Sequence, residues 1–492
     1  MIIGGANVQD GRTFEADVCI VGSGAAGLTL ALDLARRGAS VILVESGGMV
    51  FQKQSNDLLD IELGGQSTPA LIAGTRERFF GGTTNHWGGV CRTFDDFEFE
   101  PHPWVPNSGW PFGLDALDPY YTAAAALLGL PEVRRTYDPE ALGVADRPAL
   151  VRPTERDLQA AIWRRVPLER VRMGPWRKDE VSSNPQIQCV VHTTIAQIHP
   201  GPSGEKITSM EGRTFSGRTL HFRARDYVLC TGAVENARLL LASDAVVPHG
   251  LGNEHDLVGR YFMDHPANVL GQLLLTDPDA PASQEEHLAE NELVGWTTTP
   301  AARKAHKLQG FMSWVFPRRP PEKLPYELAI RELVQPLGQR QKPSSSRYLN
   351  IVINWEQSPN PLSRVTLSPK LDALGIRKPH LHWAVTAEDL ASAKKSCELF
   401  SVAVARAGLG RVHLEEVAGP VITMGGGHQM GTTRMSIAPK DGVTDVNGRV
   451  HSLDNLFVGG SSLYPTGGWQ HPTFSIVALA LRQADFLSSR HR

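Results

Sequence analysis

Three glycine-rich segments each carry a histidine that could take part in chemistry. His86 stands in GGTTNHWGG, His428 in GGGHQMGTTRM and His471 in TGGWQHPT. A neutral imidazole can accept a proton from an alcohol at physiological pH, and glycines let a main chain lie close to a ligand. One histidine among 17 is more often a surface or core residue, so other segments must identify the ligand.

Residues 17–45, DVCIVGSGAAGLTLALDLARRGASVILVE, predict a dinucleotide-binding unit. A short apolar strand precedes a G-x-G-x-x-G turn and an apolar helix, and a second apolar strand ends at Glu45, 18 residues beyond the last glycine. The first glycine allows a tight turn, the second a close approach to a pyrophosphate, and the third close helix–strand packing. The helix N-terminus favours phosphates, and Glu45 can accept hydrogen bonds from a ribose. The cofactor contacts predicted here are Gly22, Gly24, Ala25, Ala26, Gly27, Glu45 and Ser46.

A single dinucleotide fingerprint favours FAD over a nicotinamide cofactor. The strand–turn–helix pattern at 224–243, ARDYVLCTGAVENARLLLAS, lacks the full glycine spacing. We therefore expect one bound FAD, reduced by the substrate itself. The segment 190–200 is interpreted as a strand beside the adenine, and the last helix, which begins at Pro472, would direct its positive N-terminus at the flavin. The contacts predicted from these parts are Thr194, Ile195, Thr231, Gly232, Gly459, Gly460, Pro472 and Thr473.

Composition and charge limit the classes of partner and location. The chain has 492 residues, 41% of them hydrophobic, and a net charge of −3, which is typical of a globular multidomain protein and gives no indication of a nucleic-acid partner. No apolar run is long enough for a membrane-spanning helix, so membrane insertion is not expected. The N-terminus lacks the features of a secretory signal, and a cytoplasmic location is expected, while export with a signal-bearing partner stays open.

The motifs together resemble the glucose–methanol–choline (GMC) family of FAD-dependent oxidoreductases. The matching pieces are VGSGAAG…VESG, GGTTNHWGG, VLCTGAVENARLL, HQMGTTRM and NLFVGGSSLYPTGGWQHPT, which span both ends of the chain. GGTTNHWGG and the segments 94–112 and 354–368 further resemble the pyranose oxidase, glucoside 3-dehydrogenase and C-glycoside 3-oxidase branch. This resemblance implies oxidation of a secondary hydroxyl, preferably at C3 and otherwise at C2, of a pyranose or an O- or C-glycoside.

The resemblance also implies residue roles. His428 would be the base that takes the hydroxyl proton, and His471 would be its hydrogen-bonding partner, while flavin N5 accepts the hydride. His86 would lie against the flavin, either bonded covalently to it or, as the favoured alternative, in contact with a non-covalent FAD. The cofactor contacts implied in the same loop are Gly82, Thr83, Asn85, His86, Trp87, Gly88 and Gly89. Gln357 and Asn360 are weaker candidates for sugar contacts, because amides suit hydroxyl recognition.

Several alternatives to a sugar oxidase remain open. The segment 170–191 holds only Cys189, so no iron–sulfur cluster is expected, and no metal site is expected elsewhere. Reoxidation by O2 or a quinone is therefore favoured. The alternatives are the catalytic subunit of another polyol or sugar-acid dehydrogenase that passes electrons to a partner, a non-redox FAD-containing lyase, and a flavin-binding protein without chemistry.

The expected fold class is α/β, with a doubly wound Rossmann-like FAD-binding domain and a discontinuous α+β substrate domain built on an antiparallel sheet, as in GMC and p-hydroxybenzoate hydroxylase-like proteins. The FAD-binding domain is assigned to 1–105, 180–265 and 420–492, and the substrate domain to 106–179 and 266–419. The segment 316–346 is interpreted as a lid or an oligomer contact of a homo-oligomer. The acidic residues Asp95, Asp96, Glu98 and Glu100 are interpreted as a solvated face.

Overall fold

The structure is a computed structural model that describes residues 1–67, 72, 74–131, 156–276, 292–317, 348–414 and 424–491. Nearly all of the predicted insertion at 316–346 therefore lies outside the described residues. The strands are β1 (Ile2–Gly4), β2 (Thr13–Val21), β3 (Val41–Val44), β4 (Glu62–Gly65), β5 (Val90–Cys91), β6 (Leu158–Arg165), β7 (Ile187–Val191), β8 (Thr194–Pro200), β9 (Ile207–Arg213), β10 (Thr219–Leu229), β11 (Pro266–Leu275), β12 (Glu292–Thr298), β13 (Phe311–Pro317), β14 (Tyr348–Trp355), β15 (Arg364–Leu371), β16 (Arg377–Trp383), β17 (Gly410–Leu414), β18 (Met424–Gly425) and β19 (Leu456–Val458). The helices are α1 (Ala25–Arg36), α2 (Lys53–Asn56), α3 (Asp96–Phe99), α4 (Asp118–Leu128), α5 (Leu168–Val171), α6 (Met173–Ser183), α7 (Ala233–Ala242), α8 (Pro300–His306), α9 (Ala387–Arg406) and α10 (Thr473–Arg490).

The first sheet is mainly parallel and contains the predicted nucleotide-binding unit. Its strands lie in the order β1–β7–β3–β2–β10–β9–β8, and β19 pairs with the end of β10. In the parallel part, Val44, Val21, Leu229 and Val458 lie side by side in the register. Because the strands end at the same level, the turns that follow them meet at one edge, where ligands of open α/β sheets bind.

Helices cover this sheet because its strands are apolar on both faces. Val18, Cys19 and Ile20 of β2 are fully buried, as are the residues of β3, which is the pattern of a parallel strand packed on both sides. The helix α1 packs against β2, β3 and α10, and α10 also packs against α4. The helix α1 is buried along nearly its whole length, so the first helix after the glycine turn and the last helix of the chain share one core.

The second sheet is antiparallel and presents two different faces. Its strands lie in the order β17–β11–β14–β13–β12–β6–β5, and β18 pairs with β11. Alternate residues such as Phe311 and Val315 pack in one cluster with side chains of α9, whereas Trp314 packs with Trp163 in another. Because side chains alternate along a strand, the sheet can bury one face under α9 and leave the other for a ligand.

The predicted α/β fold class is confirmed, and short elements depart from the predicted domain boundaries. The strand β5, inside the predicted segment 1–105, pairs with β6 in the second sheet. The strand β18, inside 420–492, pairs with β11 of the same sheet. Conversely, α4, inside 106–179, packs on α10 beside the first sheet. A third, three-stranded sheet contains β15, β16 and β4. Within the described ranges, no helix has both the length and the apolar character needed to cross a bilayer.

Candidate active site

A cavity of about 680 Å³ lies between the turns of the first sheet and the second sheet. Its volume is in the usual range for cofactor and substrate pockets. The predicted residues that line it are Gly22, Gly24, Ala25, Ala26, Glu45, Ser46, Gly82, Thr83, His86, Trp87, Gly88, Thr194, Ile195, Thr231, Gly232, His428, Gly459, Gly460, His471, Pro472 and Thr473. The structure thus gathers both ends of the chain around one space.

Three predicted cofactor contacts do not line the cavity wall, and their contacts explain why. A Cβ added at Gly27 would lie 1.8 Å from the Gly22 carbonyl oxygen, so Gly27 serves helix–strand packing. Asn85 donates through Nδ2 to the carbonyls of Phe80 and Gly82, at 2.9 and 3.0 Å, and so holds its loop in shape. Gly89 has φ +68° and packs against a valine of α5.

The turn between β2 and α1 has the form that a pyrophosphate site needs. Gly22 has φ +99°, and a Cβ there would lie 2.6 Å from the carbonyl oxygen of Cys230. Gly24 is the N-cap of α1, and a Cβ added to it would meet no atom within 4 Å. Gly24 lines the cavity, so that open space is available to a ligand. The free N–H groups and the dipole of the α1 N-terminus favour an anion there.

Glu45 lies at the end of β3 and is fixed by the same turn. Its Oε2 accepts hydrogen bonds from the backbone N–H and the hydroxyl of Ser23, at 3.1 and 2.6 Å, and its Oε1 accepts from Gly47 N–H at 2.9 Å. The carboxylate is 4% exposed and borders the cavity. It is therefore oriented in advance to accept hydrogen bonds from a ribose.

A cluster of charged residues at the same end of the cavity has no counterpart in the sequence-based predictions. Arg78 donates to the Ser46 hydroxyl at 3.0 Å and to Glu235 at 2.8 Å. Arg76 donates to Glu235 at 3.3 Å, while its buried Nε has no hydrogen-bond partner among the described residues. Arg76, Arg78 and Glu235 line the cavity beside Ser46, so the arginines are candidates for binding the anionic part of a dinucleotide. The sequence RERFF contained the basic residues, but nothing local connected them with Glu235.

His86 lies on the cavity wall and is paired with an acid. Its Nδ1 lies 3.1 Å from Oε1 of Glu77. The following residue, Trp87, donates its indole N–H to the Val171 carbonyl, which holds the loop against the end of α5. Nδ1 of His86 makes no hydrogen bond in the described residues despite its contact with Glu77, so the ring keeps a buried polar atom that a ligand can bind.

His428 and His471 stand together on the cavity wall. Their ring centroids are 4.9 Å apart and their planes are nearly perpendicular, at 77°. His471 stacks on Trp314 of the second sheet, with centroids 5.5 Å apart and planes at 11°. Nδ1 of His471 is buried and has no hydrogen-bond partner among the described residues. Because an unpaired buried polar atom is costly, this nitrogen is suited to a ligand.

The surroundings keep both imidazoles neutral. Burial lowers the pKa of His428 well below its usual value, and the adjacent rings of His471 and His265 act in the same direction. Burial likewise lowers the pKa of His471 to about 3. Both rings are therefore unprotonated at neutral pH, which is the state that a base requires.

A third histidine, which the sequence-based predictions omitted, contacts His428. Nδ1 of His265 lies 2.9 Å from Nδ1 of His428, and Nε2 of His265 lies 2.7 Å from the Gly468 carbonyl oxygen. The preceding residue, Asp264, accepts at Oδ1 the backbone N–H groups of His265 and His428, at 2.7 and 2.8 Å. The segment FMDHP carried no local signal for this role, because its partner lies 163 residues away in the chain.

Part of the predicted solvated acidic face instead lies beneath the site, where Glu98 is buried and Asp95 is half-buried, and that prediction was wrong for these two residues. Glu98 is 1% exposed and accepts Arg303 NH1 at 2.6 Å. Arg303 also donates to Glu356 at 3.2 Å, and Glu356 accepts the Gly468 N–H at 2.9 Å. Burial raises the pKa of Asp95 to about 6, against the attraction of a neighbouring arginine. The acids support the loop that leads to His471 rather than face water.

The predicted sugar contacts Gln357 and Asn360 do not line the cavity. Gln357 is 1% exposed, accepts the indole N–H of Trp383 at 2.7 Å and donates to the Ala384 carbonyl at 3.1 Å. Asn360 donates to the same carbonyl at 3.0 Å. Both amides are hydrogen-bonded to residues at the end of β16, so the structure gives Gln357 and Asn360 supporting positions.

These residues fit FAD. The space above Gly24, the fixed carboxylate of Glu45 and the unpaired Nε of Arg76 suit the dinucleotide, and the N-terminus of α10, whose Pro472 and Thr473 line the cavity, suits an electron-rich ring edge. In the part of the chain that the structure describes, no group of three His, Cys, Asp or Glu side chains is arranged to hold a metal ion.

Two family models and several relatives match the chain. Residues 359–480 match the GMC oxidoreductase model, and residues 17–59 match an FAD-dependent oxidoreductase model. The chain is similar to 2-methyl-1,2-propanediol dehydrogenase of Mycolicibacterium austroafricanum, with 25% identity over 97% of this chain and 96% of the relative. It is also similar to 6'''-hydroxyparomomycin C oxidase of Streptomyces lividus, with 25% identity over 96% of this chain and 91% of the relative.

Solved structures share the fold. Pyridoxine 4-oxidase from Mesorbium loti aligns with a TM-score of 0.60 and 18% identity over 97% of this chain and 99% of that one. Formate oxidase aligns with a TM-score of 0.60 and 17% identity over 98% of this chain and 99% of that one. With the nucleotide turn and the histidine-lined cavity, these findings identify the chain as an FAD-dependent oxidoreductase of alcohol hydroxyl groups that is similar to GMC oxidoreductases.

Proposed function

We propose that this enzyme oxidises a secondary hydroxyl of a neutral pyranose or glycoside, preferably at C3 and otherwise at C2, to the keto sugar. The observation that carries the proposal is the pair of neutral imidazoles, His428 and His471, 4.9 Å apart on the wall of the cofactor cavity. The preference for C3 follows the resemblance of the sequence to glycoside 3-oxidases.

His428 is assigned as the base and His471 as its partner. A hydroxyl placed between the two rings donates its proton to His428, whose neutral state is maintained by burial. His471 is held in place by its stacking on Trp314, and its Nδ1, which has no other partner among the described residues, contributes a hydrogen bond to the same hydroxyl. FAD, when bound, supplies the acceptor for the hydride that leaves the same carbon.

The wall near the histidines favours a neutral substrate over an amino sugar. Trp314 lies directly opposite Val352 on the neighbouring strand, and both line the cavity with Leu293. Two of the three described carboxylates that line the cavity are already engaged, Glu45 by the glycine turn and Glu235 by arginines, and the third, Glu77, lies next to His86. Apart from Glu77, an ammonium group would therefore find no free acid to pair with among the described residues of the cavity wall. An apolar sugar face or aglycone instead has the apolar wall of the second sheet to pack on.

Anaerobic mixing tests the proposal. The purified yellow protein is mixed with D-glucose, phenyl β-D-glucopyranoside, a C-glucoside, 2-methyl-1,2-propanediol and paromamine, and the flavin absorbance is followed. The expected result is fast bleaching by a neutral sugar or glycoside and slow or no bleaching by paromamine, and NMR of the product then identifies the oxidised carbon. Bleaching by the diol alone would contradict the sugar assignment, and a flavin that stays oxidised with every compound would favour a lyase or a binding role.

Two further measurements assign the residues and the electron acceptor. His428→Ala is expected to slow flavin reduction by about 10²- to 10⁴-fold, the usual contribution of a positioned base, without loss of bound FAD. Near-normal reduction in that variant would contradict the assignment of the base. Admitting O2 or a quinone to the reduced enzyme then separates an oxidase from a dehydrogenase that passes electrons to a protein partner.

A further inference from the structure

We propose that His265 is a positioning residue that fixes the tautomer of His428, so that Nε2 of His428 presents its lone pair to the substrate. The proposal deepens the proposed function and rests on the assignment of His428 as the base. It concerns two ring nitrogens of His428 that are not equivalent, because only one of them is committed to a protein partner.

The donor and acceptor roles follow from the main-chain carbonyl at the end of the chain of hydrogen bonds. The Gly468 carbonyl oxygen, 2.7 Å from Nε2 of His265, can only accept, so Nε2 carries the hydrogen. A neutral imidazole has a single N–H, and Nδ1 of His265 is therefore an acceptor. Nδ1 of His428, 2.9 Å away, must donate to it. The remaining nitrogen of His428, Nε2, is then unprotonated.

These donor and acceptor roles hold only while His265 is neutral, and its surroundings keep it neutral. His265 is 1% exposed, and burial lowers its pKa to about 4. The titratable groups that face it are the rings of His428 and His471 and the carboxyl of Asp264, with Glu356 on the far side of the Gly468 peptide. A second proton on His265 is disfavoured, because its Nδ1–H would then point at the Nδ1–H of His428.

Both ends of this arrangement are fixed by the main chain. The Gly468 N–H donates to Glu356 at 2.9 Å, which orients the carbonyl that receives His265. Asp264 Oδ1 accepts the backbone N–H groups of both His265 and His428. The two imidazoles are thus held in register before a substrate binds, and little reorganisation is required.

The arrangement also strengthens the base. When the substrate O–H bond breaks, the proton binds Nε2 of His428, and the ring becomes an imidazolium. Its Nδ1–H then donates a charge-assisted hydrogen bond to Nδ1 of His265, which gains no proton itself. Without His265 the neutral ring of His428 populates both tautomers, and the molecules with a protonated Nε2 cannot accept the substrate proton.

Two variants separate the acceptor from the bulk of the side chain. His265→Leu removes both nitrogens, whereas His265→Asn places an amide oxygen close to the position of Nδ1 and keeps the acceptor for His428. With phenyl β-D-glucopyranoside, we expect His265→Leu to lower kcat about 10- to 100-fold with little change in KM or FAD content. We expect His265→Asn to recover most of that loss. Equal losses in both variants, or no loss in either, would overturn the proposal.

His102 offers a matched control. It is also buried, and its Nε2 lies 2.8 Å from a backbone carbonyl, that of Phe97, but it does not line the cavity. His102→Leu is expected to lower thermal stability without a change in kcat. A kcat loss in His102→Leu as large as that in His265→Leu would show that a general loosening of the protein, and not the tautomer, explains the effect.

The double variant His265→Leu with His428→Ala distinguishes the two assignments. If His265 acts through His428, its replacement adds no further loss once His428 is absent. Additive losses would overturn the proposal that His265 acts through His428, while the assignment of His428 as the base would stand. A fully active His428→Ala would instead refute the proposed function.

A measurement that needs no turnover tests the tautomer directly. Long-range ¹H–¹⁵N spectra of the substrate-free holoenzyme report which nitrogen of each histidine carries hydrogen, and the signals lost in His428→Ala identify that ring. We expect a protonated Nδ1 and an unprotonated Nε2 for His428 in the native enzyme and a mixture in His265→Leu. A protonated Nε2 in the native enzyme would refute the proposal whatever the substrate proves to be.

Discussion

Replacing Asp264 by Asn would test whether burial or hydrogen bonding controls the carboxyl group beneath His428. Asp264 is 0% exposed, and its Oδ1 accepts two backbone N–H groups, from His265 and His428. Its Oδ2 has no hydrogen-bond partner among the described residues. An asparagine oxygen can occupy the place of Oδ1 and keep both bonds, so the substitution removes the ionisable group while it preserves the shape of the side chain.

The size of the effect follows from two opposing contributions. Burial raises the pKa of Asp264 from 3.8 to about 7, although backbone N–H groups of His265, Gly426, Gly427 and His428 oppose the shift. A raised pKa means that the native state keeps a proton that the unfolded chain releases. The contribution of this carboxyl to the free energy of unfolding is therefore fully present below the unfolded pKa of about 4. It is lost as the pH rises to about 7, by about 4 kcal/mol in all.

Urea unfolding of the native and Asp264→Asn holoenzymes at several values between about pH 5 and about pH 8 measures this contribution. The titration of other groups cancels in the difference between the two proteins. We expect the native enzyme to lose about 1.4 kcal/mol per pH unit relative to the variant up to about pH 7, and nothing further above it. A difference that is independent of pH would refute the reasoning, because it would show that the four amides outweigh burial and keep Asp264 ionised in both states.

Three more predictions follow from the site and its support. Gly24→Val should yield a folded but colourless protein, because the added side chain enters the open space of the cavity where FAD would bind. The control variant Gly201→Ala should retain FAD. The ratio of flavin to protein absorbance measures the FAD content of both variants. Arg303→Leu leaves two buried glutamates unpaired and should lower the free energy of unfolding by about 3–5 kcal/mol, against about 1 kcal/mol or less for Lys304→Leu, whose ion pair is exposed. Acid precipitation should release FAD into the supernatant if the flavin is held non-covalently, and a yellow pellet would show a covalent flavin, for which His86 is the candidate residue.

Local patterns allowed much of the fold and of the cofactor cavity to be predicted. The glycine spacing that begins at Gly22 and the acid at Glu45 act within one strand–turn–helix unit, so the sequence contains the whole signal. The histidines at 428 and 471 were assigned through family motifs, and the structure places both on one wall of the cavity. Their chemical roles stay predictions until the variants above are measured.

The features that escaped prediction depend on contacts between distant segments. His265 reaches His428 because two strand-like segments, around Met263 and Met430, pair side by side. Glu98 is buried because Arg303, 205 residues away, neutralises it, whereas a run of acids in isolation is typical of a solvated surface. The amide of Gln357 is likewise bound by residues that are not its sequence neighbours, Trp383 and Ala384.

The position of β19 beside β10, with α10 packed on α1, has a consequence for biosynthesis. His428, Gly459 and His471 leave the ribosome after most of the first sheet has been synthesised. Until they emerge, the nascent chain has an open edge at β10 and a cofactor cavity that lacks one wall. Stable binding of the flavin must therefore wait until this segment has been translated. Truncated polypeptides that lack it should bind no flavin and should be sensitive to proteases.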